Sequence, residues 1–131
     1  MDNNTGEKST EGKNIVWTDF LTRDFNDPAL VWQDFRDGVD ILPLYGDPQQ
    51  GCSCALLRYH RGAQIPRHLH MGTEFLFILR GSQRDERGEY RKGTFLINPT
   101  DTSHEIASEE GCIVLAVWEK PVRFIHNAST P

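Results

Sequence analysis

The sequence predicts a single all-β domain of sandwich or barrel type. Three observations carry that reading. The chain has 131 residues, the length of one domain. From residue 40 onward, short apolar segments recur with glycine, proline or acidic residues between them, as strands separated by turns do. No stretch in that region holds the 3.6-residue apolar period of a helix. Many short strands with regular turns fit a sandwich or a closed barrel.

In chain order, residues 1–14 are polar and free of large apolar groups and read as a flexible tail. Residues 15–35 mix aromatic and polar positions around an Asp27-Pro28 turn, and short strands or a helical turn both fit them. Strands are then expected at 41–45, 54–60, 74–80, 94–97, 104–107, 112–118 and 122–125. Turns are expected at Gly46-Asp47-Pro48, Gly62, Gly81, Gly88, Asn98-Pro99 and Glu110-Gly111. The domain would span 15–126, with an N-terminal extension, and 127–131 would form a second tail. No internal repeat is visible. In the segment from Glu74 to Arg80, alternation puts Glu74, Leu76 and Ile78 on one face and Phe75, Phe77 and Leu79 on the other. A small barrel has only one inside, so the second apolar face needs cover from the N-terminal segment or from a second copy. A homodimer is the expectation.

Composition narrows the function classes. Apolar residues make up 37 % and charged residues 25 %, with a mean hydropathy of -0.54, which argues against a membrane-embedded chain. An aromatic content of 10 % argues against disorder. Fourteen basic and nineteen acidic residues give a net charge of -5, so nucleic acid and anionic membrane surfaces are not expected partners. The N-terminus lacks a basic region and an apolar run, so a cytoplasmic location is expected. Cys52, Cys54 and Cys112 are too few, and odd in number, for a disulfide framework.

The chemistry concentrates in four residues. His68 and His70 lie two apart, so an extended segment projects both from one face. Glu74 follows after a Met71-Gly72-Thr73 turn, and His104 sits beyond a proline-bearing turn. Two histidines at this spacing also arise by chance. A carboxylate on an otherwise apolar strand face, however, is costly unless it is paired or ligates a metal. Three imidazoles and a carboxylate suit a first-row divalent ion.

These residues resemble the two motifs of the cupin superfamily. Gly62, His68, His70, Glu74 and Gly81 match every position of the first motif. Gly93, Pro99 and His104 match the second, where Asp101 replaces a glycine and Ser108 an asparagine. That glycine serves a turn, and Asp accepts left-handed backbone better than most residues. From Gly38 to about residue 118 the chain is further similar to the ChrR-type cupins, named for the cupin half of a zinc-dependent anti-sigma factor. That group also holds stand-alone cupins similar to acetylacetone-cleaving dioxygenases. The resemblance implies an RmlC-like jelly-roll β-barrel and one divalent transition metal per chain (iron or zinc, with manganese or nickel as alternatives). It implies His68, His70, Glu74 and His104 as the ligands. In some cupins the three histidines bind alone.

Three functions follow from that resemblance. The first is a metal-dependent, dioxygenase-like enzyme acting on a small molecule. Four ligands on an octahedral ion leave two positions for oxygen and a chelating substrate, which would enter among apolar residues such as Leu76 and Ile78. The second is a ChrR-like sensor or regulatory module without turnover. The first 51 residues contain no His and no Cys, so the His/Cys zinc domain of the anti-sigma relatives is not expected here. The third is a purely structural metal. Outside the site, His60, His126, Trp17, Trp32, Trp118 and Cys112 read as surface or packing residues, and Glu105 alternates away from His104. The RDERGEYRK run reads as a solvated charged hairpin.

Overall fold

The computed structural model describes residues 14–125. The expected tails at 1–14 and 127–131, apart from Asn14, and His126 lie outside the described residues. The chain divides into two compact units at Trp32/Gln33.

Of the segment 15–35, where strands or a helical turn both fit, residues 33–35 are strand and the part in the first unit is neither. It is a run of turns. Leu30 N–H donates to the Asp27 carbonyl at 2.9 Å. The Asp24 and Asp27 carboxylates accept from the N–H groups of Asn26 and Ala29 at 2.9 Å, and such Asx turns compete with helix. Phe20 meets both Trp17 and Phe25 edge-on at 6.0 Å, and Trp32 Nε1 donates to the Phe25 carbonyl.

The second unit is built entirely of strands among its described residues. They are β1 (Gln33–Arg36), β2 (Val39–Tyr45), β3 (Ser53–Tyr59), β4 (Ala63–His70), β5 (Glu74–Asp85), β6 (Gly88–Arg91), β7 (Phe95–Asn98), β8 (Ser103–Ser108), β9 (Cys112–Trp118) and β10 (Val122–Phe124). All pair antiparallel in the order β1-β2-β3-β9-β5-β8-β4-β10, with β6 and β7 also on β5. The sheet curls, so β2, β3 and β9 on one side and β4 and β8 on the other bury one shared core. Val39, Ile41, Leu57, Ile65, Leu76, Ile78, Ile106 and Val114 are among its members. This is the expected all-β jelly-roll barrel.

β5 is the hinge of the curl, and here the structure corrects one expectation. Gly81 is not a turn. It lies inside β5, where the strand leaves β7 and β9 and takes up β6 and β8. Its φ is +69°, and a Cβ there would stand 2.0 Å from the Gly111 carbonyl oxygen, so only glycine fits. The ladder to β9 also slips between Ile78 and Arg80, making Leu79 an extra residue. Leu79 and Arg80 thus both stand opposite Ile113, and Leu79 is 4 % exposed. The outward face also carries half-buried Phe75 and Phe77 with Phe95 and Ile97, which are 59 % and 55 % exposed. Phe95 stacks on Phe75 with ring centroids 6.3 Å apart.

Candidate metal centre

β4 and β8 place the histidines. Between Ile65 and His68 the β4–β8 register shifts across Pro66, which has no N–H for the ladder. The shift turns both Ile65 and His68 inward, three residues apart. Beyond it, alternation keeps His68 and His70 on the same face, as their spacing predicts. His104 sits directly across from His68. Asp101 holds the preceding turn at φ +73°, so it does adopt the left-handed backbone expected of the residue in the glycine's place. Its N–H donates to the His70 carbonyl at 2.8 Å, which ties the turn to β4.

One ring nitrogen each from His68, His70 and His104 falls within 4.8 Å of the others. The ring centroids are 4.7 to 5.2 Å apart, and all three residues are buried. Each Nδ1 is held from behind. His68 Nδ1 donates to the Pro66 carbonyl at 2.9 Å. His104 Nδ1 donates to Asp85 Oδ2 at 3.0 Å. His70 Nδ1 lies 3.0 Å from Thr102 Oγ1, whose own proton goes to the Pro99 carbonyl at 2.6 Å, so the imidazole is the donor. With every Nδ1 carrying its proton, each Nε2 keeps a lone pair. His70 Nε2 and His104 Nε2 are buried without a hydrogen-bond partner, which is costly unless something else takes the lone pair. The donor set and its tautomers fit a divalent transition metal.

Glu74 is beside this group but does not close to the same distance from all three imidazoles. Its Oε1 lies 3.1 Å from His70 Nε2 and accepts from Asn98 Nδ2 at 3.0 Å. Its Oε2 accepts from Trp118 Nε1 at 2.7 Å. Burial would raise its carboxyl, but the His70 and His68 imidazoles and the Trp118 N–H outweigh that and pull it below its usual range. Burial pushes His68 down to about 4 and lowers His104 as well, with Asp85 opposing. Both shifts favour the neutral imidazole in His68 and His104, the form that ligates.

The charged hairpin at 84–92 needs correction. Asp85 is not solvated; its side chain is 4 % exposed. It holds His104 and accepts from Arg87 Nη2 at 2.9 Å and from Tyr90 OH at 3.0 Å. Burial would raise Asp85, but these donors hold it down at about 2. Arg87 Nη2 also reaches Asn98 Oδ1 at 3.2 Å. A continuous network thus runs Trp118–Glu74–Asn98–Arg87–Asp85–His104. The sequence marks Asn98 only as a turn residue and Trp118 only as packing.

A cavity of about 310 Å³ opens beside His68 and Glu74. Its walls are largely apolar, with Phe35, Leu57, Leu76 and Phe124 among them, and Arg36, Gln49 and Tyr59 supply polar atoms. Leu76 faces it as expected, whereas Ile78 belongs to the packed core, 0 % exposed. The remaining sequence readings fall away from this site. His60 is exposed and bonds Asp40 Oδ2 at 2.8 Å, Glu105 is exposed, and the three cysteines are unbridged. Cys112 is buried, which pushes its thiol up to about 12.

Comparison with known proteins agrees with this geometry. Residues 25–122 match the family described as the ChrR cupin-like domain. The structure resembles ChrR in its complex with SigE from Rhodobacter sphaeroides, at 30 % identity and a TM-score of 0.62, covering 76 % of this chain and 54 % of that one. It resembles an RmlC-like cupin protein from Ralstonia eutropha JMP134, at 24 % identity and a TM-score of 0.68, covering 79 % and 71 %. It also resembles an acetylacetone dioxygenase from Acinetobacter johnsonii, at 15 % identity and a TM-score of 0.69, covering 97 % and 86 %. The last two likenesses concern the fold alone. The chain spans about half the length of ChrR, and 55 % of a cupin-like protein from Ralstonia eutropha JMP134. No curated protein matches it.

Proposed function

Because this chain belongs to the ChrR cupin-like domain family, we propose that it is a metal-dependent enzyme of dioxygenase type acting on a small organic molecule. The observation that carries the reading is the set of three imidazoles, each pinned through Nδ1, around buried unpartnered nitrogens, beside a largely apolar cavity. A structural zinc site is usually closed, whereas this one adjoins space of ligand size. In this reading His68, His70 and His104 hold a divalent ion, iron before zinc, manganese or nickel, with Glu74 as the fourth ligand. When bound, the metal supplies Lewis-acid and redox chemistry.

The chain's own residues do the rest. Asp85 and Thr102 fix the tautomers of His104 and His70 and make them stronger donors. Trp118 and Asn98 hold the Glu74 carboxylate in one orientation. The apolar walls keep water away from a substrate lying against His68. The working unit is a cytoplasmic homodimer closed over Phe75, Phe77, Phe95 and Ile97; free cysteines suit that reducing compartment.

A second reading has one observation in its favour. The 30 % identity to ChrR, over 76 % of this chain, supports a metal-binding regulatory module with a partner protein and no turnover. Metal analysis of protein purified anaerobically, without chelator or added metal, separates the two. Near-stoichiometric iron, with oxygen uptake on chelating carbon acids, is the expected result. Stoichiometric zinc without oxygen uptake favours the regulatory module. His68→Ala and His104→Ala should each lose the metal; a full equivalent in both variants overturns the ligand set.

A further inference from the structure

The cavity carries a cation that the metal chemistry does not use. Arg36 ends β1 at the cavity wall. Its guanidinium lies 3.9 Å from the centre of the Phe124 ring and 5.0 Å from that of Phe35. Such stacking fixes a guanidinium plane while leaving its N–H edge free to donate. Among the described residues Arg36 forms no ion pair, although five other arginines pair with carboxylates. Burial lowers its pKa from the ordinary value, as expected of a cation partly removed from water.

Phe124 also connects Arg36 to the metal centre. The Phe124 ring tilts against the His68 imidazole at 5.5 Å, and the two residues are cross-strand partners between β10 and β4. The guanidinium is thus one aromatic ring away from His68. Tyr59, 6 % exposed, faces the same cavity. Burial keeps its phenol protonated, so it is a hydrogen-bond donor at any physiological pH. The other charged side chain of the lining, Glu74, is turned to the histidine side and accepts from Asn98 and Trp118.

We propose that Arg36 and Tyr59 form an anion-recognising end of the cavity, so that its ligand is a small organic carboxylate with an apolar body about one ring long. The carboxylate meets the Arg36 fork and the Tyr59 hydroxyl. The body lies along Phe35, Phe124, Leu57 and Leu76, and the far end reaches His68. This rests on the reading of the cavity as the substrate site, but not on the identity of the metal.

Benzoate and benzamide test it, since they share a shape and differ in charge. Both are titrated calorimetrically into the full chain, and metal content is measured on the same samples. Benzoate should bind at least about tenfold more tightly, the value of a charge-assisted contact. Arg36→Gln should erase that preference, Arg36→Lys should keep part of it, and Tyr59→Phe should weaken benzoate about fivefold. Equal affinity for the two probes, no binding of either at millimolar concentration, or an unchanged preference in Arg36→Gln would overturn the proposal. Unchanged benzoate affinity in Tyr59→Phe removes Tyr59 from the site. A chain that takes up no added iron or zinc yet still shows the Arg36-dependent preference would refute the metal enzyme and leave the anion site standing.

Discussion

Asp85 shows how much one side chain outside the histidine cluster governs it. Its carboxylate is buried, accepts from His104, Arg87 and Tyr90, and is held at about 2. A carboxylate behind an imidazole fixes the ring and raises its basicity, and losing such a partner typically lowers metal affinity about 10- to 100-fold. Asp85→Asn keeps the size and one acceptor oxygen but removes the charge. Metal titration should therefore show that weakening, with circular dichroism and melting close to wild type. Affinity unchanged within a factor of two would mean that Asp85 only staples the hairpin through Arg87. The same residue marks the limit of sequence reading. Counted in twos from inward Glu74, Asp85 falls on the outer face. The extra residue at Leu79 reverses the parity and turns it in, and no local residue type announces that slip.

At the scale of elements, strongly apolar strands were legible and strands carrying polar or imino residues were not. Each of the seven expected strands overlaps an observed one. β4 and β6 are not expected and β1 is only one of two alternatives, because QDFR, AQIPRHLH and GEYR lack the β-branched or aromatic density that marks a strand. β4 nevertheless carries two of the candidate ligands, whose shared face followed from spacing alone. The His68/His70/His104 set was legible because metal chemistry needs particular residue types. The pins behind it were not, because carbonyls, hydroxyls and amides carry no such signature. Cross-strand pairs were equally hidden. Asp40 of β2 stands opposite Arg58 of β3 and accepts from it at 2.9 and 3.0 Å, with His60 at 2.8 Å. Burial would raise the Asp40 carboxyl, but these partners lower it below its ordinary value. A depressed carboxyl stabilises the fold above the unfolded-state pKa of about 4 and loses that contribution as pH falls through the folded value. Melting curves of Asp40→Asn should thus fall below wild type at pH 7 and converge with it toward pH 2. A constant offset across that range would assign the loss to packing and not to charge.

For the whole molecule, the question is what covers the outer face of the sheet. Leu56 and Leu79 on the barrel's strands are 0 % and 4 % exposed, while Phe95 and Ile97 on β7 are 59 % and 55 % exposed beside half-buried Phe75 and Phe77. Four large apolar side chains on two paired strands form a continuous patch of the kind that marks an association site in a soluble protein. In the proposed homodimer, a two-fold axis through the patch would let Phe95 of each copy pack against the Phe75–Phe77 ridge of the other. Sedimentation of the full chain should then give a dimer at micromolar concentration. Phe95 is the exposed aromatic at the patch centre, and truncating such a residue typically costs about 2 kcal/mol, roughly 30-fold in the dissociation constant. Placing a charge there costs at least as much. Phe95→Glu should therefore sediment as a monomer while keeping its metal content and its benzoate binding, because Phe95 lines neither the histidine cluster nor the cavity. A wild-type chain that runs as a clean 15.0 kDa monomer at high concentration would refute self-association, and the patch would then belong to a different partner.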